Sequence, residues 1–145
     1  MLFTTTNGEV TEHPRRAQAN DIPLCVETGP HYLTLFDDLY EGENGHLAIC
    51  SPPLRTPEEA ENLWKGLEDG TILLTGSDDC TFDVDEKSMF LEKNPDGSWK
   101  QDFTKVVNGL SGLEIRLPIL LSEGVNKAEF LLISSVTLPA LTLLR

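Results

Sequence analysis

The strongest constraint on the fold is an ordered run of three segments: a short apolar stretch, an amphipathic helix with well-marked ends, and a second short apolar stretch. Residues 47–50 (LAIC) are wholly apolar, as expected of a strand buried on both faces of a parallel sheet. Thr56 can cap the following helix, Pro57 suits its first turn, and Glu59 sits three residues after the cap. Ala60, Leu63, Trp64 and Leu67 then recur at the spacing of a core-facing stripe. Glu61 and Lys65 form an i,i+4 pair on the other side, and Gly70 closes the helix. Residues 71–75 (TILLT) read as the second buried strand. Two parallel strands need such a crossover, so the order predicts an α/β fold with a parallel sheet.

Around this unit the signals are weaker. Residues 1–20 are polar and without sustained periodicity, and are read as a loosely attached lead-in with a short helix near residues 15–19. Residues 22–28 read as a strand ended by Gly29-Pro30, and residues 31–35 as a further apolar stretch. Residues 83–108 form a long polar connection, of the kind that is functional or mobile inside a compact domain. Ser111 with Glu114 forms a capping box for a helix carrying Leu113, Leu117, Leu120 and Leu121, bent at Pro118. Asn126 with Glu129 opens a last helix, broken or restarted at Pro139.

Composition excludes some function classes. The 145 residues carry a formal net charge of −13, which repels phosphate backbones and anionic lipid, so neither nucleic acid nor membrane is expected as a partner. No apolar run approaches the roughly 20 residues that span a bilayer, and residues 1–8 lack the basic start and apolar core of a secretory signal. Cys25, Cys50 and Cys80 have no CxxC spacing, so reduced thiols in the cytoplasm are expected rather than a disulfide framework or structural zinc. His13, His31 and His46 lie far apart, without HxH or HExxH spacing. Residues 83–86 (DVDE) lack the glycine and terminal glutamate of a calcium loop. Trp64 reads as core; Trp99 either covers a site or shields its own loop.

Three segments can carry chemistry, and each has a plainer alternative. Residues 51–55 (SPPLR) follow an expected strand, where ligand sites of parallel folds lie, but a rigid Pro-Pro turn into the helix cap would look the same. Residues 76–80 (GSDDC) follow the next strand. A carboxylate there can ligate a metal or act as a base, and adjacency is expected to raise one of the two pKa values; a backbone-capping turn is the alternative. Residues 108–112 (NGLSG) can offer backbone groups to a polar ligand near a helix N-terminus, or be a turn and cap.

Taken in order, these segments resemble the hydantoinase/dihydropyrimidinase family of the amidohydrolase superfamily. Residues 27–33 (ETGPHYL) are similar to its E-T-C-P-x-Y-L, with Gly29 in place of the usual cysteine, and residues 51–55 to its S-P-P-L-R. Trp64, Gly66, Leu67 and Gly70 fit the next helix, and residues 76–82 (GSDDCTF) the G-S/T-D-H/N-C-P/T-F segment. Lys87, residues 102–105 (DFTK) and Asn108-Gly109 follow, then Glu114, Arg116, Gly124-Val125 and Pro139-Ala140. The resemblance runs from about residue 22 to 145 and fits the allantoinase and dihydroorotase branches less well.

The resemblance implies the last strands and helices of a (β/α)8 barrel, truncated at both ends: residues 1–21 a poorly matched lead-in, residues 22–145 the C-terminal part of the barrel, and residues 83–108 an active-site loop. It implies two divalent metals, usually zinc, and a small cyclic amide opened to an N-carbamoyl amino acid. Asp78 corresponds to a metal ligand and proton shuttle, and Ser51 and Asn108 to positions that hold the ring amide largely through backbone atoms. The family's HxH pair, carboxylated lysine, two further histidines and oxyanion tyrosine have no counterpart here, so the chain alone is expected to be inactive. Self-association is implied, since family members are commonly homotetramers. A half-barrel is also expected to expose strand edges and apolar helix faces. A non-catalytic scaffold that keeps the fold, or a decayed gene product, stands as the alternative.

Overall fold

The computed structural model describes residues 2–8 and 11–125; the expected helix from Asn126, the break at Pro139 and the Pro139-Ala140 match lie outside them. Three parallel strands form one sheet in the order β1-β2-β3, with β1 at Leu2–Thr4, β2 at Cys25–Thr28 and β3 at Leu74–Thr75. Leu2 pairs with Cys25 and Glu27 with Leu74. Hydrogen bonds outside the formal strands lengthen both ladders: the N–H groups of Thr5, Leu73 and Gly76 donate to the carbonyls of Glu27, Val26 and Thr28.

The crossover helix, α3 (Pro57–Glu68), forms as its signals require. The Thr56 hydroxyl accepts from the Glu59 N–H, Pro57 occupies the first turn, and Gly70 takes a positive φ of 79° just past the end. Ala60, Leu63, Trp64 and Leu67 are buried, and the last three join Val26, Leu54 and Ile72 in the main core. The Trp64 indole N–H donates to the Leu33 carbonyl (3.2 Å), so its one polar atom is satisfied inside that core. The expected Glu61–Lys65 pair is not formed; the Lys65 ammonium reaches Asn62 instead.

The crossover is right in kind but begins one element earlier than expected. Residues 47–50 are not a strand: a 3-10 turn covers Gly45–Ala48, and the parallel neighbour of β3 is β2. An apolar run of four satisfies a buried turn as well as a buried strand, so burial alone did not separate them. Residues 31–35 likewise fall mostly in a short helix, α2 (Pro30–Thr34), with Pro30 in its first turn.

The lead-in is a second correction. Far from being loosely attached, it supplies β1 and helix α1 (Glu12–Ala19), which contains the short helix expected near residues 15–19. Thr5, Thr6 and Thr11 are buried, and the Thr28 hydroxyl donates to the Thr5 carbonyl (2.9 Å). From α1, Arg15 reaches Asp69 (2.5 Å) and Gln18 reaches the Thr71 carbonyl (3.0 Å), which ties this helix to the corner between α3 and β3. A three-residue strand draws its stability from its neighbour's backbone, which hydrophobic patterning does not register.

Residues 83–108 have structure of their own. Asp83 and Glu86 make a full capping box on α4 (Val84–Ser88), which explains the DVDE stretch without calcium. Lys93 and Trp99 form an antiparallel bridge, the Lys93 ammonium lies 4.5 Å from the Trp99 ring centroid, and Glu92 pairs with Lys100 and Lys105. Trp99 thus packs within its own segment, with its ring 5.9 Å from that of His46.

The helix expected from Ser111 starts only at Arg116, as α5 (Arg116–Ile119), and widens into a π-helical turn over Leu120–Val125. Pro118 accounts for the late start: a residue without an N–H fits the first turn of a helix and not its interior. Of the four leucines that the expected helix carries, only Leu120 is buried, while Leu113, Leu117 and Leu121 are exposed. Among the described residues no helix is long and apolar enough to cross a membrane.

Candidate active-site cleft

Parallel strands deliver the residues that follow them to one edge of the sheet. His31 follows β2 by three residues and Asp78 follows β3 by three, and both line a cleft of about 250 Å³ with Cys50, Ser51, Cys80, Asn108, Gly109 and Leu110. All three segments singled out from the sequence therefore meet in one place. The Asn108 side-chain amide donates to the Ser51 hydroxyl (2.6 Å). The Gly109 N–H donates to the Ile49 carbonyl (3.1 Å), and the Cys80 N–H to the Leu110 carbonyl (2.9 Å).

Each segment is held from behind. The Ser51–Pro52 bond is cis. The Tyr32 hydroxyl donates to the Pro52 carbonyl (3.0 Å), and the Leu54 N–H donates to the Tyr40 hydroxyl (2.8 Å). Burial, followed by the neighbouring Cys50 and Asp78, holds the Tyr32 phenol well above its ordinary range, so it stays a neutral donor. Residues 108–112 are fixed by Lys87, a nearly fully buried side chain. Its ammonium donates to the carbonyls of Ile49 (2.8 Å) and Gly109 (2.7 Å). Arg116 joins α5 to the end of β3 by donating to the Thr75 carbonyl (2.9 Å).

The two adjacent carboxylates divide their roles. Asp79 accepts from the Thr81 hydroxyl (2.6 Å), the Gly112 N–H (2.7 Å) and the Leu113 N–H (3.0 Å). Those bonds, that of Thr81 foremost, hold its carboxyl below the usual range, so the rise expected from adjacency does not occur at Asp79. One of these bonds uses the Gly112 N–H, which belongs to the 108–112 segment expected to offer backbone groups to a ligand. Asp78 is the exposed member, in the left-handed region at φ 47°, which aspartate tolerates better than most residues. Its charge acts on His31 across the cleft. Burial lowers the His31 pKa, and the Asp78 charge offsets part of that fall.

Asp78 is thus an exposed carboxylate just past a strand end, lining the cleft, a setting in which it can ligate a cation or accept a proton. Zinc sites take three or four protein ligands, and among the described residues no three histidine, cysteine or acidic side chains come together as a metal-ligand set. The described residues therefore do not fit a two-metal site by themselves. Sequence reading missed the supports, Tyr40, His31 and the contacts of Lys87. The resemblance names Lys87, but in the sequence the Asp83/Glu86 signal for the helix that carries it reads only as a failed calcium loop and not as a cap.

No family model matches the chain. The D-phenylhydantoinase of Escherichia coli O81 (strain ED1a) is 39% identical over 120 residues, 83% of this chain and 24% of that protein. The enzyme of the same name from strain K12 / DH10B gives the same figures. Among solved structures, a D-hydantoinase superposes with a TM-score of 0.83 at 34% identity, and the dihydropyrimidinase of Brevibacillus agri NCHU1002 with 0.83 at 30%. Each match covers 94% of this chain and 28% of the other. The dihydroorotase of Saccharomyces cerevisiae superposes with a TM-score of 0.69 at 15% identity, which shows a shared fold alone. The chain spans about a quarter of the length of the curated relatives it matches.

Proposed function

The chain belongs to the hydantoinase/dihydropyrimidinase family, and we propose that it supplies one rim of the active site of a metal-dependent cyclic-amide hydrolase. The reaction is the opening of a dihydropyrimidine or hydantoin ring to an N-carbamoyl amino acid. The observation that carries the reading is the convergence of Asp78, Ser51 and Asn108 on one cleft at the C-terminal edge of the sheet.

In this reading Asp78 ligates one metal of a two-metal, zinc-type site and carries a proton to the leaving nitrogen. Its exposed carboxylate and its place after β3 support that role. Ser51 and Asn108 hold the ring amide. Their side chains bond to one another, which supports a role in which backbone groups meet the substrate. The described residues supply one ligand to that site, so the 145 residues by themselves are inactive, as a truncated part of a (β/α)8 barrel. The exposed Leu113, Leu117 and Leu121 support self-association or docking against further barrel elements, in a cytoplasmic homo-oligomer.

The test is a chimera in which this chain replaces the corresponding quarter of the E. coli D-phenylhydantoinase. It should open hydantoin or dihydrouracil, followed by loss of ring-amide absorbance. Asp78→Asn should lower kcat at least about 100-fold at saturating zinc. A folded, zinc-loaded chimera indifferent to Asp78→Asn would remove the basis of the reading. Turnover by the isolated chain would overturn its inactivity.

A further inference from the structure

We infer that Lys87 is a positioning residue, whose ammonium sets the distance between the Ser51 and Asn108 segments and so the fit of the substrate ring. Three facts converge on it. Lys87 is nearly fully buried, which a lysine tolerates only when its hydrogen-bonding capacity is used. Its two acceptors are the carbonyls of Ile49, two residues before Ser51, and of Gly109, the neighbour of Asn108. Among the described residues no carboxylate pairs with the ammonium, so its bonds to the two backbone carbonyls are not incidental to an ion pair.

The geometry is that of a clamp. The Gly109 N–H already bonds to the Ile49 carbonyl, and that carbonyl also accepts from Lys87. One oxygen is therefore shared by the two contacts that hold the segments together. A charged donor strengthens both bonds relative to a neutral one. The capping box of α4 sets the base from which the side chain reaches in. Remove the ammonium and the Gly109 carbonyl loses this donor, while the Ile49 carbonyl keeps only the Gly109 N–H, at the point where Ser51 meets Asn108.

The clamp stands on geometry alone, whereas its service to a substrate rests on the hydrolase reading, and two measurements separate them. In the 145-residue chain labelled with 15N and 13C, the Lys87 ammonium should exchange slowly and show through-bond coupling to the Ile49 and Gly109 carbonyls. In Lys87→Met the Asn108 side-chain amide should shift, and the Gly109 amide should exchange on the order of tenfold faster, while Val26 and Leu63 stay protected. An unchanged Asn108 signal in that variant would overturn the clamp. If Lys87→Met does not fold, the wild-type ammonium signal decides, and a fast-exchanging, uncoupled ammonium overturns it.

In the chimera, Lys87→Met should raise KM about tenfold and leave kcat within about threefold, with Lys87→Arg recovering most of the loss. A fall in kcat at unchanged KM would contradict positioning. A chimera inactive with Lys87 intact would defeat the hydrolase reading and leave the spectroscopic result standing.

Discussion

Replacing Gly109 with alanine should destabilise the chain for two separable reasons. The first is conformational. Gly109 has a φ of 122°, a region that residues with a Cβ adopt at a cost of about 1–3 kcal/mol. The second is steric. A Cβ at Gly109 would lie 2.4 Å from the Cys80 Cβ and 2.9 Å from its Sγ. The sulfur can rotate away, but the Cβ is fixed to the backbone, so one of the two chains must move. Both are tethered, Gly109 through Ile49 and Lys87 and Cys80 through Leu110. Overpacking of this kind costs about 1–3 kcal/mol, so the sum is about 2–6 kcal/mol.

Gly70 is the internal control: its φ is 79°, yet a Cβ there meets nothing within 4 Å, so Gly70→Ala should cost the conformational share alone. Cys80→Gly removes the opposing Cβ. In a urea-denaturation cycle, Gly109→Ala and Cys80→Gly should therefore couple by about 1–3 kcal/mol, and the remaining cost should match that at Gly70. Equal costs for Gly109→Ala and Gly70→Ala, with no coupling to Cys80→Gly, would refute the close approach of the two segments.

Leu63→Ala should cost about 2–5 kcal/mol, because Leu63 is fully buried where α3 meets the sheet. Leu113→Ala should stay within about 0.5 kcal/mol, and a large loss there would mean that Leu113 is packed rather than exposed. Acidification from pH 7 to 5 should lower the urea midpoint. His46 is buried with its Nε2 on the Ser88 hydroxyl (3.1 Å), which itself donates to the Val84 carbonyl. The neutral Nε2–H form is thus the one held, and Nδ1 has no partner among the described residues. Burial foremost, then the Lys87 charge, lowers its pKa below 6.5. The unfolded chain therefore takes up the proton first, so the His46 contribution is complete above pH 6.5 and is lost as pH falls through the folded value. His46→Gln should flatten that part of the profile; an unaltered slope would place the sensitivity elsewhere.

What could be read in the sequence was local and self-signalling. The Thr56 cap, Pro57 and the leucine–tryptophan stripe specify α3 with few competing conformations, and α3 formed at the expected place. The segments carrying Ser51, Asp78 and Asn108 were each marked by composition, and the fold brings them to one cleft. What escaped depended on partners distant in the chain. β1 exists because Cys25–Thr28 offers its backbone, and Asp79 differs from Asp78 in part because the distant Gly112 and Leu113 present their N–H groups to it, beside the nearby Thr81 hydroxyl. Residues 47–50 illustrate the opposite limit, since four apolar residues establish burial without establishing conformation.

The most direct measurement is anomalous diffraction at the zinc edge from crystals of the chimera. The account requires a zinc ion with the Asp78 carboxylate oxygen about 2.0–2.2 Å away, facing Ser51 and Asn108 across the same cleft. A fully loaded zinc site whose ligands exclude Asp78, with its carboxylate turned to solvent, would contradict the assignment of this rim to the chemistry.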